Sequence, residues 1–322
     1  MKAGVASANG LVMSDIPQPR PKPNEVLVKV RAAALNRADL TTARALPHGS
    51  HGGAGAAVGL EWAGEVVESG AEVKGIWPGE HVMCSGNGGY AEYAVCDWGR
   101  VLPKPKNLTF EQATTLPIGL ATLHNALITA GRLKPGESVL IQGASSGVGL
   151  MGLQIAKARG AYPVFGSSTN DARRARLKEF GADIAVDTRD PAWPNDVLQA
   201  TNGKGVNLVV DMVSGATVVP SMRAMALLGR LVNVGRLGGT KAEFDFDLHA
   251  LKRIDYIGVT FRTRTLEEVR EITRRMREDL WDAVEAGKLR LPIDRVYPLD
   301  QAVEAQEHMR ANEHFGKIVL TV

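Results

Sequence analysis

Cysteine is scarce: Cys84 and Cys96 are the only two in 322 residues. Two cysteines build no disulfide framework, and their scarcity fits a reduced compartment. They also fall short of the four closely spaced ligands that a structural zinc lobe takes. No apolar run approaches the ~18 residues of a membrane-spanning helix, so no membrane partner is expected. The opening stretch, MKAGVASANGLVMSDIPQPRPKP, has no continuous apolar segment of the signal-peptide kind, and a cytoplasmic location is the expectation. Charge of one sign is equally lacking. Lysine and arginine total 38 against 35 acids, a net +3 with no long basic run, which argues against a nucleic-acid partner. The apolar share of 44% and charged share of 23% exclude a disordered chain.

What is present in quantity is glycine, 35 residues clustered between apolar runs. The length suits two domains, at roughly 100–200 residues each. Residues 1–117 read as mostly β. EVLVKV (Glu25–Val30) alternates apolar and polar residues, and Glu65–Val67, Glu80–Met83 and Tyr90–Val95 are further short strands. Prolines crowd residues 17–23 into an extended connector, and Gly49–Gly59 reads as a flexible loop.

Near Pro117 the pattern changes. Strand Ser138–Gln142, helix Val148–Arg159, strand Tyr162–Phe165, helix Asp171–Phe180 and strand Asp183–Asp187 alternate. Strand Asn207–Val213, helix Thr217–Leu228, strand Arg230–Val234 and strand Tyr256–Thr260 follow. This alternation predicts a parallel, doubly wound sheet. Thr265–Gly287 reads as a charged helix closed by Gly287, and Lys317–Val322 as a returning strand.

The sharpest local signal is GASSGVG, residues 143–149, between a buried strand and an apolar helix. On the dinucleotide pattern G-x-G-x-x-G the first two glycines are Ala144 and Ser146, and only Gly149 is in register. Small side chains are what such a turn needs, so that backbone amides at a helix N-terminus approach a pyrophosphate. Ala144, Ser145, Ser146, Gly147, Val148 and Gly149 are therefore candidate cofactor contacts. A tight turn without a ligand is the competing reading, disfavoured by the long βα array that follows.

Ala144–Lys157 resembles the A-x-x-G-V-G loop of the zinc-independent quinone oxidoreductases, in the medium-chain dehydrogenase/reductase superfamily. Other pieces are similar in the same order: ALNRAD (34–39), GLEWAG (59–64), GGYAEY (88–93), LPIGLATLHNAL (116–127) with its Thr122, and FGKIVL (315–320). The resemblance implies an α/β chain: a GroES-like, mostly-β catalytic domain from residues 1–119 and 263–322, and a Rossmann-type domain over 120–262. It implies an active site in the cleft, no flavin, and a homodimer formed through the edge strand Tyr256–Thr260.

Zinc-dependent members carry Cys where Asn36 stands and His where Leu60 stands. Glu61 alone survives of that set, whereas catalytic zinc takes three protein ligands. His81, Cys84 and Cys96 lack an evident fourth partner, and buried small-hydrophobe cysteines are the simpler account. His48 and His51 read as solvent-exposed. No metal is expected. Without a Lewis acid, alkoxide formation loses its usual stabilisation. Hydride addition to a quinone or an activated C=C bond instead spreads its charge into a hydroquinone or enolate, which hydrogen bonds can stabilise.

The strand after the loop ends Gly166–Ser167–Ser168 with no acid for a ribose 2′-hydroxyl, which favours NADPH over NADH. Asp171 fits better as a first-turn helix acid. Arg173 matches the family's 2′-phosphate residue, and Arg189 stands in for a family Tyr that this chain lacks. By resemblance, Asn36, Tyr90, Thr122 and Arg262 are the catalytic candidates, and Ser167, Ser168, Gly235 and Phe261 join the cofactor set. Leu40, Thr41 and Ile118 complete the expected cleft. Arg44, Arg236 and Arg262 are candidates for a basic mouth. The expected activity is reduction of quinones or α,β-unsaturated carbonyls. An enoyl-thioester reductase and a non-catalytic nucleotide binder are the alternatives.

Overall fold

The computed structural model describes residues 1–46 and 53–322; His48, His51 and the first part of the expected Gly49–Gly59 loop lie outside them. Among the described residues no helix is long and apolar enough to cross a membrane. The chain forms two compact units, Met1–Ile118 with Phe261–Val322, and Gly119–Thr260.

The first unit is built on β1 (Lys2–Ser7), β2 (Gly10–Asp15), β3 (Glu25–Ala34), β4 (Glu61–Ser69), β5 (His81–Ser85), β6 (Tyr93–Asp97) and β7 (Val101–Pro103). The chain returns to it for β14 (Ile293–Pro298) and β15 (Lys317–Thr321). Its main sheet runs β14-β15-β3-β4-β5-β7, and β6 also pairs with β3. Alternation explains part of β3: Val26, Val28 and Val30 join the core with Trp62, Tyr90 and Ile318. The segment Ala32–Ala34 is buried throughout because small residues pack where β4 and β15 both pair alongside.

Tyr90, expected to open a strand, instead lies in the loop before β6 and is fully buried. Helix Leu266–Glu285 begins at a Thr265/Glu268 capping box and ends before Gly287, whose φ of +68° only glycine adopts readily. Its buried stripe runs Val269, Ile272, Met276, Leu280 and Val284, the spacing of one helical face. Arg270 on the same helix forks onto Asp97 at 2.9 and 2.6 Å.

The second unit carries β8 (Val139–Gln142), β9 (Val164–Ser167), β10 (Ile184–Val186), β11 (Val206–Asp211), β12 (Met225–Asn233) and β13 (Asp255–Gly258). They pair in parallel in the order β10-β9-β8-β11-β12-β13. Two βαβ halves thus diverge from β8 and β11, and the switch in strand order lies at the β8 loop.

The elements differ from expectation in several places. The expected helix Thr217–Leu228 stops at Ala224, and MALLGRLVN is one strand. An apolar run cannot distinguish helix from strand by composition alone; here Leu228 takes a positive φ and the register shifts before Arg230. Helix Asp171–Phe180 breaks after Ala175 into a separate turn, closed by Gly181 at φ +99°. Helices Trp193–Ala200 and Phe246–Lys252 are additions: Pro194 lies in the first turn of the first, which buries Trp193 and Val197, and an Asp245 cap starts the second.

Candidate active site

The β8 loop is shaped by close backbone contacts. Gly143 adopts φ +71°, and a Cβ on Gly149 would meet the Ala144 Cα at 2.6 Å. The Ser146 hydroxyl accepts from the Gly149 amide at 3.1 Å and so caps helix Gly147–Ala158. The first amides of such a helix have no intrahelical acceptor, which leaves Gly147 and Val148 aimed at whatever lies before the turn.

Ser167 is not available in the same way. Its hydroxyl donates to Gln142 at 2.5 Å and accepts from the Gly143 amide at 3.0 Å, so it braces the loop from beneath. The Ser168 hydroxyl meets that of Ser145 at 3.1 Å, which brings these two candidates together. At the end of β12, a Cβ on Gly235 would fall 2.4 Å from the Met212 carbonyl. Its own carbonyl accepts from Ser214 at 2.9 Å. These residues fit a pyrophosphate-bearing nucleotide: small side chains, helix amides without an intrahelical acceptor and two hydroxyls converge on one turn.

Beyond β9 the charges are arranged differently from the sequence expectation. Arg174 donates to the Ser168 carbonyl at 3.0 Å and pairs with Asp171 and Asp187 at 2.5 and 3.2 Å. Arg189 reaches the same two acids at 2.5 and 2.6 Å. Asp171 therefore does more than complement its helix: it bridges two guanidinium groups. Hydrogen bonds from Arg189 hold the Asp187 carboxyl down to about 2. Arg173 is half-buried on the helix capped by Asn170.

In the first unit, polar side chains gather in the core. Asn36 and Tyr90 meet through Asp39, whose Oδ2 accepts from the Asn36 amide and the Tyr90 hydroxyl, each at 2.7 Å. Tyr90 is fully buried and its proton is directed at Asp39, so the structure gives it a packing position inside the core. Burial pushes the Asp39 carboxyl up to about 7, against the opposing bonds from Tyr90 and Asn36 and the charge of Lys317. The Asn36 side chain joins Glu61 at 3.0 Å and Lys317 at 3.0 Å, and Lys317 also pairs with Glu61. Ile118 enters through its amide, which donates to Glu61 at 2.9 Å.

Lys317 was legible only as part of a closing strand, and Asp39 and Glu61 only as letters of motifs. Nothing in their spacing announces a buried cluster. Of the remaining candidates, Thr122 is half-buried on helix Pro117–His124, Phe261 is half-buried and Arg262 is exposed.

The donor set does not fit zinc. Among the described residues no three His, Cys, Asp or Glu side chains are grouped to hold a metal. Glu61 is instead ringed by N–H donors from Asn36, Lys317 and Ile118. Cys84 and Cys96 are buried among apolar neighbours of the first unit.

Residues 22–106 match the alcohol dehydrogenase GroES-like domain, and residues 147–278 match the zinc-binding dehydrogenase family. Quinone oxidoreductase of Sus scrofa is 30% identical over 312 residues, covering 96% of this chain and 92% of that protein. The chain belongs to the quinone oxidoreductase family of the medium-chain dehydrogenase/reductase superfamily.

A mycocerosic acid synthase-like polyketide synthase of Mycobacterium tuberculosis is 29% identical over 94% of this chain, which spans 14% of that protein's length. The CurK enoyl reductase structure superposes with a TM-score of 0.86 at 25% identity, covering 99% of both chains. The family thus supplies an oxidoreductase with a nucleotide site, while the zinc in the matched family's name finds no ligand set in the described part of this member.

The raised Asp39 pKa has a signed consequence. Between about pH 4 and 7 the folded state holds a proton that the unfolded chain has released, so this residue makes stability fall as pH rises through that window. Asp39→Asn removes the effect. The stability of the variant relative to wild type is expected to grow by up to about 1.4 kcal/mol per pH unit across the window. Urea denaturation at several pH values measures it; a flat difference would rule out a buried, protonatable Asp39.

Proposed function

We propose that this family member is an NADPH-dependent, zinc-independent reductase that transfers hydride to quinones or to activated C=C bonds of α,β-unsaturated carbonyl compounds. The observation that carries the reading is the β8 turn, with Arg174 beyond β9 and Arg189 beyond β10 joined through Asp171 and Asp187. When bound, NADPH supplies a hydride from C4 of its nicotinamide. The residues around it do the rest. Gly147 and Val148 amides hold the pyrophosphate, Ser145 and Ser168 offer hydroxyls, and an arginine takes the 2′-phosphate. Hydride delivered to a ring position or β-carbon leaves an anion that solvent protonates. Tyr90, with its hydroxyl committed to Asp39, is not assigned that proton.

A second reading, an enoyl-thioester reductase, draws support from the similarity to CurK and to the polyketide synthase. NADPH oxidation assayed against a quinone, an enal, an enone and an enoyl-CoA separates the two. Turnover is expected on the quinone or enone and is expected to survive a zinc chelator. Nucleotide binding with no turnover on any of the four sinks the enzyme reading.

Cofactor choice is tested by Arg173→Ala. The KM for NADPH should rise about tenfold, near 1.4 kcal/mol, while that for NADH stays almost unchanged. Salt screens a guanidinium–phosphate contact near the surface, so the effect should shrink at high salt. Equal effects on both cofactors would remove Arg173 from the 2′-phosphate site.

We also propose a homodimer through β13. That strand has β12 as its neighbour in the described sheet, and beside it Phe244 stacks against Phe246, His249 and Tyr256. Phe246 remains 75% exposed, large for an aromatic side chain with no further role. Sedimentation equilibrium should give about twice the 34.4 kDa chain mass, and Tyr256→Lys should shift it towards one chain. A wild-type monomer at micromolar concentration would refute the dimer.

A further inference from the structure

Glu61 and Lys317 are buried charges to which neither the nucleotide loop nor the hydride chemistry gives a task. Sheet register brings them together. Ala34, the last residue of β3, pairs with Glu61 on one side and with Val319 on the other. The Leu35 amide continues towards β15 by donating to the Ile318 carbonyl at 2.9 Å. Asn36 therefore emerges between the first residues of β4 and β15. Glu61 is fully buried, Lys317 is 6% exposed and Asn36 is 9% exposed, so all three are shielded from bulk water.

Counting hydrogen-bond capacity shows what this arrangement leaves over. A side-chain amide has two donor hydrogens and two acceptor lone pairs. The Asn36 Nδ2 group points one hydrogen at Glu61 Oε1, 3.0 Å away, and the other at the Ala34 carbonyl, at 3.4 Å. Its Oδ1 accepts from the Lys317 ammonium at 3.0 Å. One lone pair on Oδ1 is the capacity that remains. This reverses the simplest expectation, in which Asn36 donates to a substrate carbonyl: its donors are spent inside the protein. A buried ion pair is also weak as a pure stabilising device, since apolar residues of similar volume do as well. Here both ends of the pair grip the same amide.

We propose that Lys317, together with Glu61, is a positioning residue for Asn36. It fixes the amide so that Oδ1 is presented as an acceptor to a hydroxyl group carried by the bound nucleotide. The inference rests on the reading of Asn36 as a ligand-facing residue, and the experiment separates the two.

Four variants of the full chain are compared with wild type: Asn36→Leu, Lys317→Met, the two combined, and Glu61→Gln/Lys317→Met. Two readouts are taken, kcat/KM with NADPH and p-benzoquinone, and NADPH affinity by fluorescence quenching. Asn36→Leu and Lys317→Met should each lose about tenfold or more in NADPH affinity, and the combined variant should fall no further than the worse single change. Loss of nucleotide affinity supports the assignment; loss of kcat/KM at unchanged affinity overturns it, because p-benzoquinone carries no hydroxyl to donate.

Lys317→Met alone leaves a buried carboxylate without its cation and can fail to fold. Glu61→Gln/Lys317→Met removes both charges, should melt near wild type, and should show the same functional loss. Additive losses, or wild-type values for Glu61→Gln/Lys317→Met in both readouts, overturn the positioning role. If Asn36→Leu is impaired while the Lys317 variants are not, Lys317 has no such role and the reading of Asn36 stands. If Asn36→Leu behaves as wild type in both readouts, the reading of Asn36 falls and this inference falls with it.

Discussion

Strand β3 is the element on which the first unit depends, because its backbone bonds to three neighbours: β4, β6 and β15. A strand so surrounded must be apolar or small along most of its length, and VLVKVRAAA meets that demand. Where the ladder ends, the next side chains are enclosed by the same neighbours but are no longer part of the repeat. Asn36 and Asp39 stand there. Buried polar groups in such a place need partners. Glu61 and Lys317 supply them to Asn36, and Tyr90 supplies one to Asp39. The polar cluster is thus a consequence of how the sheet terminates, and its composition decides what chemistry the terminus can host.

The second unit solves a different problem, that of letting backbone approach a large anion. Two features make room. Gly149 cannot carry a Cβ without meeting Ala144, and Gly143 turns through a positive φ that most residues avoid. The positions that vary from the usual fingerprint, Ala144 and Ser146, keep these properties. Ala144 is buried and donates its amide to the Ser167 carbonyl at 2.9 Å, while Ser146 caps the helix with its own hydroxyl. A serine cap fixes the first turn that a glycine would leave free. The loop is a different construction for the same task.

Much of this was legible in the sequence, and the limits have physical causes. The alternation of strands and helices after Pro117 announced the parallel sheet, since the two periods differ. The loop was legible because small residues between a strand and a helix serve few other purposes. The first residues of β12 read as helix because an apolar stretch looks alike in either conformation. The buried cluster was the least legible part. Lys317 and Asn36 lie 281 residues apart, and only the pairing of β15 with β3 brings their side chains within hydrogen-bond range. Similarly, Arg174 and Arg189 share their acids through the pairing of β9 with β10, which charge spacing along the chain does not reveal.

The same cluster shows how the fold satisfies a carboxylate at the start of β4 with its own donors. A carboxylate as enclosed as Glu61 must have a cationic or hydrogen-bonding partner to remain charged. In this chain an ammonium and two N–H groups fill that role, and Leu60 adds no ligating atom. The charge of Glu61 is balanced within the fold. The residue identities at the end of β3 and at the start of β4 and β15 thereby decide how this buried polar terminus is satisfied, a matter that the nucleotide loop leaves open.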